Sequence, residues 1–350
     1  MNIVQEDIKT IIKAIDWKRF DDKEVIISGC SGFLGSWFMA VFAELNKNYL
    51  DKPVKVWGID SFIAADKPNS IVGLSDNNLV LWKGDIAKFP LQGTVDFIIH
   101  AAGIASPIFY RQFPIETIEG MVLGLNNLLK FSIDNKVESF LNFSSSEIYG
   151  NPHEDEVPIK ESYNGNVSCT GPRSCYDESK RMGEAMCVAY HKIHKISVKS
   201  VRPFNVSGAG MRINDDRVVP KFIFLALQGK PITVHTPATQ TRTFTYITDA
   251  MIGFFKVLLN GRDGDVYNIG RDKQEVTILE LANMVKKEVA DVEIQTVPVP
   301  QEYPQDQANR RCPDITKAKT DLGFDPLVDL ETIVKRTAIW AKEALNEKAN

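Results

Sequence analysis

Lys23-Glu24-Val25-Ile26-Ile27-Ser28-Gly29-Cys30-Ser31-Gly32-Phe33-Leu34-Gly35 passes from a short apolar strand, through a turn holding three glycines, into an apolar helical stretch from Ser36 to Leu45. Glycines at a strand-to-helix turn remove side chains where backbone and a helix N-terminus must come close to a diphosphate. Gly29, Gly32, Phe33, Leu34 and Gly35 are therefore candidate cofactor contacts. A second strand, Val54 to Ile59, ends in Asp60, 25 residues after Gly35. A carboxylate there accepts from ribose hydroxyls and repels a 2'-phosphate, which favours NAD over NADP.

The same pattern continues outward. Leu79 to Trp82 forms a third strand before Gly84-Asp85-Ile86, and Val95 to His100 a fourth before Ala101-Ala102-Gly103. Asp85 and Ile86 are placed to border an adenine, and Ala101 to line the cofactor. A helix over 115–135 leads to a fifth strand, Ser139 to Ser144, and Ile196 to Val201 reads as a sixth. Helical stretches or loops separate these runs, so the predicted fold is α/β, a Rossmann-like doubly wound parallel sheet. Ile8, Ile11, Ile12 and Ile15 lie at helical spacing ahead of it, with Trp17 and Phe20. The opening helix is expected to dock on its own chain. Beyond Asn205, Gly208, Gly210, Pro220, Pro231, Pro237 and the prolines from Pro298 to Pro313 punctuate shorter elements. The expected division is an N-terminal amphipathic helix at 1–22, an NAD-binding domain at 23–204, and a smaller mixed α/β substrate lobe at 205–350 with segments returning to the first domain.

Tyr176-Asp177-Glu178-Ser179-Lys180 follows Ser144-Ser145-Ser146-Glu147 by about thirty residues. A tyrosine and a lysine four apart share one helix face, so an ammonium there favours ionisation of the phenol. Beside a cationic nicotinamide, such a phenol can take a proton from an alcohol while hydride leaves the same carbon. The five-residue pattern alone is weak; its position after a glycine-rich turn gives it meaning.

Composition limits the alternatives. In 350 residues, 44% are hydrophobic and 25% charged, ordinary for a globular protein, and a net charge of -4 offers no attraction to nucleic acid or an anionic membrane. The five cysteines are scattered, without metal-ligand spacing, which suits reduced thiols; no metal site is expected. The N-terminus lacks a signal-peptide pattern and no apolar run approaches a membrane span, so the expected compartment is the cytoplasm.

From about residue 24 onward the chain resembles the extended short-chain dehydrogenases/reductases that act on nucleotide sugars. Within that group it is most similar to the branch decarboxylating UDP-glucuronate. The phrases carrying the resemblance are Ser106-Pro107-Ile108-Phe109-Tyr110, Ser145-Ser146-Glu147-Ile148-Tyr149-Gly150, Gly171-Pro172-Arg173-Ser174-Cys175-Tyr176, Asn214-Asp215-Asp216-Arg217-Val218-Val219-Pro220, Gln240-Thr241-Arg242-Thr243-Phe244 and Arg311-Cys312-Pro313. The resemblance implies Tyr176 as base, Lys180 as its electrostatic partner and nicotinamide-ribose contact, and Ser145 as the hydroxyl at the reacting 4'-oxygen. It implies Glu147 as the catalytic glutamate and Arg242, paired with it, as the arginine facing the sugar carboxylate. Pro107, Tyr110, Asn205, Arg217 and Arg311 become candidate substrate contacts, and a homodimer through the Tyr176 helix is expected. Related 4,6-dehydratases carry Asp-Glu where this chain has Ser146-Glu147, so the proton donor for losing water is missing and decarboxylation is favoured.

The chain also departs from its relatives. Met121 stands where an asparagine is usual, Cys30 replaces a common glycine, Ser207 to Met211 differs from the usual Phe-Gly-Pro-Arg phrase, and Arg111 is an unfamiliar charge near the sugar. A 4,6-dehydratase or epimerase with the same Tyr176 and Lys180 stays open, as does a non-catalytic NAD-sensing protein that kept the fold.

Overall fold

Val25, Ile26 and Ile27 are all buried, because a strand inside a parallel sheet is covered on both faces. The computed structural model describes residues 2–63, 69, 71, 76–212, 215–299 and 308–349; Asn214 and the middle of the Pro298–Pro313 stretch lie outside them. Seven strands form the central sheet: β1 (Glu24–Ser28), β2 (Lys55–Asp60), β3 (Leu79–Lys83), β4 (Phe97–His100), β5 (Ser139–Phe143), β6 (Val198–Pro203) and β7 (Val266–Ile269). Their order is β7-β6-β5-β4-β1-β2-β3 and every pairing is parallel. The Rossmann-like α/β reading holds. Six of these strands are visible in the sequence; β7 arrives from the C-terminal half, where four residues between Gly264 and Gly270 carry too short a pattern to separate from loop.

The chain turns one way from β1 to β2 and the other way from β4 to β5. This reversal opens a crevice at the carboxyl ends of β1 and β4, where ligands of such sheets bind. Ser28 of β1 is in register with His100 of β4, so Gly29 and Ala101 leave the sheet side by side at that crevice.

Helix Phe33–Asn48 packs below on an aromatic floor: Phe38 lies 4.8 Å from Phe255, and Phe143 lies 4.8 Å from Phe254, centroid to centroid. Each fully buried phenylalanine contributes about 1.5–3 kcal/mol, which makes a firm base for the turn above. The opposite face is covered by helices Gly124–Asn135 and Ser174–His194. The opening helix, Ile3–Lys13, buries Ile8, Ile11 and Ile12 against its own chain. Its buried Asp7 accepts from Tyr246 Oη at 2.6 Å and from Arg336 at 2.7 Å, tying it to the start of helix Ile247–Asn260 and to helix Leu330–Ala349.

The remaining short strands lie outside the central sheet. Thr241–Arg242 lies between Val276–Thr277 and Arg310–Arg311, which puts Arg242 in register with Arg311. Thr245–Tyr246 pairs with Val206–Ser207 directly after β6. Among the described residues, no helix is long and apolar enough to cross a membrane, and no cluster of metal-ligating side chains occurs.

Candidate active site

At Gly29 the backbone is left-handed, φ +75°, and an added Cβ would lie 2.7 Å from the carbonyl of Ala101. A Cβ at Gly35 would strike the Gly29 carbonyl. Neither position accepts a side chain, so the turn's amides and the first turn of helix Phe33–Asn48 stay bare. Gly32 is that helix's N-cap and makes no side-chain capping bond, which leaves the helix end available to an anion. Asp60 accepts from Ser31 N–H at 3.0 Å and from Phe62 N–H at 2.9 Å, so the turn itself holds the carboxylate at the crevice mouth. Gly29, Gly32, Asp60, Asp85, Ile86 and Ala101 line one cavity of about 240 Å³. Asp85 also caps its own turn, accepting from Ala87 N–H at 3.0 Å.

That cavity opens into a cleft of about 330 Å³ where Gly35, Phe33 and Leu34 meet Ser145, Glu147, Tyr176 and Lys180. Helix Ser174–His194 presents Tyr176 and Lys180 on one buried face. Lys180 Nζ donates to the carbonyl of Phe143 at 2.6 Å and stands 5.8 Å from the centre of the Tyr176 ring. Burial pushes Tyr176 up to about 12, with the Ser145 hydroxyl pulling the other way, and burial pushes Lys180 down to about 8. Desolvation is the largest influence on both groups, and the Lys180 ammonium is directed at the Phe143 carbonyl.

Since its folded value lies below that of a free lysine, the Lys180 charge is penalised in the fold, and the penalty is relieved as pH rises from about 8 to about 10.5. Wild-type stability is therefore expected to gain about 3 kcal/mol on a Lys180→Met variant over that interval, from 2.5 pKa units. Urea unfolding of both proteins at pH 7.5 and 10.5 measures it; a constant difference contradicts it.

Glu147 is held in a fork of two arginines, Arg173 and Arg311, whose side chains are 9% and 6% exposed. Burial raises its carboxyl, but Arg311 and Arg173, aided by Arg242, outweigh burial and hold it below the usual carboxylate range. The expected Glu147–Arg242 pair is thus corrected. Arg242 donates to the backbone carbonyls of Thr241, Ala308 and Asn309 and acts on Glu147 through its field. Arg311, in register beside it, is the arginine that reaches Glu147.

Arg173 carries no assigned role in the sequence reading, although a signal existed. A cation at the start of a helix opposes the macrodipole, and Arg173 is the N-cap of the Tyr176 helix. Glu147, together with Asp177 at 3.5 Å, compensates it. Ser144 is a second omission; its buried hydroxyl has no partner among the described residues and lines the cleft.

The cleft continues among the short strands as a third cavity of about 320 Å³, reached by Pro107, Tyr110, Asn205, Arg217 and Arg242. Tyr110 stacks on Tyr176, with centroids 5.5 Å apart and planes 24° apart. Asn205 sits at φ +42°, its amide donating to the Thr243 carbonyl at 2.8 Å. Arg217 chelates Asp215 through Nε and Nη2 at 2.9 and 2.7 Å. Arg111 bonds back to its own helix at the Pro107 carbonyl, 2.8 Å, while lining this cavity. His100, 2.7 Å from Ser28 Oγ, is driven down to about 3 by burial and by Lys180, so it stays neutral at ordinary pH.

Comparison with known proteins gives consistent relatives. The family profile "NAD dependent epimerase/dehydratase family" matches residues 25–270. UDP-glucuronic acid decarboxylase 1 of Danio rerio is 38% identical over 332 residues, covering 94% of this chain and 75% of that protein. UDP-glucuronic acid decarboxylase 5 of Arabidopsis thaliana is 39% identical over 307 residues, covering 87% of this chain and 85% of that protein. Among solved structures, UDP-glucuronic acid 4-epimerase from Bacillus cereus, in complex with UDP-glucuronic acid and NAD, superposes with a TM-score of 0.77 at 26% identity, covering 92% of this chain and 99% of that one. The glycine turn, Tyr176, Lys180 and Glu147 all fall inside the matched stretch.

Proposed function

The chain belongs to the NAD dependent epimerase/dehydratase family, and from that footing we propose that it is an NAD-dependent decarboxylase converting UDP-glucuronate to UDP-xylose. The observation that carries this reading is the cluster of arginines around Glu147, which lines the same cleft as Tyr176. Arg173 and Arg311 clamp Glu147, and Arg242 acts on the same carboxylate. A site with that much positive charge suits a sugar carboxylate and the enolate left when carbon dioxide departs. Ser146 is buried and not acidic, so no carboxylic acid stands at that position to protonate a leaving hydroxyl. The identity to decarboxylases, 38–39%, exceeds the 26% to the epimerase.

The bare glycine turn, the Gly32 helix end and Asp60 fit the diphosphate and ribose of NAD. When bound, NAD supplies a hydride acceptor and a positive charge beside the phenol. Tyr176 takes the 4'-hydroxyl proton as hydride leaves C4', and Ser145, which hydrogen-bonds the phenol, orients the same oxygen. The ketone formed is beta to the C6' carboxylate, so the C5'–C6' bond breaks and its electron pair enters an enolate as carbon dioxide leaves. Arg242 balances the charge. Protonation at C5', return of hydride to C4' and return of the Tyr176 proton complete a cycle with no net change in oxidation state of the cofactor.

Incubation with UDP-glucuronate and, separately, dTDP-glucose tests this by product mass. A nucleotide pentose from UDP-glucuronate is expected. An isomer of unchanged mass would make the chain an epimerase, and loss of water from dTDP-glucose a dehydratase.

A further inference from the structure

The glycine-turn cavity is lined by four carboxylates, Asp60, Asp85, Glu116 and Glu119, and among its described lining residues Arg212 is the one cation. A diphosphate entering there brings two negative charges, against which backbone amides and a helix end offer only partial charge. We infer that Arg212 is the cationic contact for the cofactor diphosphate, reaching over the glycine turn from the C-terminal lobe; this rests on the NAD reading above.

Its placement is built, not incidental. Arg212 leaves the Ser207–Met211 turn, the segment in which the chain departs from its relatives. That turn is pinned to the first lobe at two carbonyls. Trp37 Nε1, on the helix that begins at the glycine turn, donates to Ala209 at 2.8 Å, and Asn69 Nδ2 donates to Gly210 at 2.7 Å. Gly210 has φ +86°, and a Cβ there would come within 2.9 Å of Ile71, so this close seat excludes a side chain. The Arg212 guanidinium rests 5.1 Å over the Phe109 ring, a platform that holds its plane in the cleft. It lines both the glycine-turn cavity and the Tyr176 cleft. Arg217, the neighbouring arginine, directs two hydrogen bonds to Asp215, a carboxylate that also feels the charge of Arg212. A strap that crosses from one lobe to a diphosphate on the other slows cofactor loss, which suits an enzyme that returns its hydride in every turnover.

The test is calorimetric titration of the nucleotide-stripped protein with NAD and, separately, with UDP, for wild type, Arg212→Ala and Arg212→Met, the last keeping a long unbranched side chain without the charge. Both variants are expected to bind NAD about ten- to a hundredfold more weakly, the loss of a charge-assisted contact, with UDP affinity and apo melting temperature unchanged. Unchanged NAD affinity in Arg212→Met overturns the inference and leaves the NAD reading standing. Weaker UDP binding with unchanged NAD binding makes Arg212 a substrate contact and also overturns it. A wild type that binds UDP but not NAD removes both readings together.

Discussion

Tyr176→Phe is expected to lower turnover of UDP-glucuronate by about a hundred- to ten-thousandfold, the range for loss of a positioned acid–base group, while leaving fold and cofactor binding in place. The substitution deletes one buried hydroxyl and keeps the ring stacked on Tyr110 at 5.5 Å. The Ser145 hydroxyl loses one partner but still accepts from Glu147 N–H at 3.2 Å, so the stability change should stay within about 1 kcal/mol. Rate of product formation, melting temperature and NAD affinity together separate a chemical loss from a structural one. Turnover near the wild-type rate would remove Tyr176 from the proton transfer.

Glu147→Gln is expected to do damage of a different kind. It keeps the shape of the side chain and deletes the anion between Arg173 and Arg311, leaving two nearly buried guanidiniums facing a neutral amide. Breaking a buried ion pair by removing one partner typically costs about 3–5 kcal/mol, read here as a lower midpoint in urea. The Glu147 carboxyl is held below its ordinary value, so its stabilisation is complete above the unfolded-state value and is lost as pH falls through the lower folded value. The gap between wild type and variant should therefore persist at pH 5 and close only in stronger acid. Turnover should fall as well, and UDP-glucuronate, whose carboxylate replaces the missing anion, should raise the variant's melting temperature more than the wild type's. Equal stability of the two proteins at pH 7 would contradict the clamp.

The parts of this site that are legible in the sequence are those fixed by local backbone requirements. Gly29 and Gly35 mark a turn because no side chain fits there, Asp60 ends a strand at a recognisable distance, and Tyr176 and Lys180 share a face through helix periodicity. What escapes is set by distant segments. Arg311 reaches Glu147 across 164 residues of chain, and its register beside Arg242 depends on three short strands whose two-residue lengths carry no periodic signal. The resemblance pairs Glu147 with Arg242, while the register of these strands brings Arg311 into direct contact with it. The depth at which Tyr176 sits is likewise set by distant segments, and neighbours in sequence do not report depth. β7 is hidden for a related reason, since four residues, three of them buried, are too few to distinguish strand from loop.

The central claim is an internal redox cycle that ends in loss of carbon dioxide. Its most direct test is NMR and mass spectrometry of the product formed from UDP-glucuronate in deuterated water with catalytic NAD. The mechanism predicts a UDP-pentose carrying solvent deuterium at C5' and the original hydrogen at C4', because C5' is protonated from solvent while the C4' hydride is returned from where it was held. A product that retains its carboxylate, or one with solvent deuterium at C4', would contradict it.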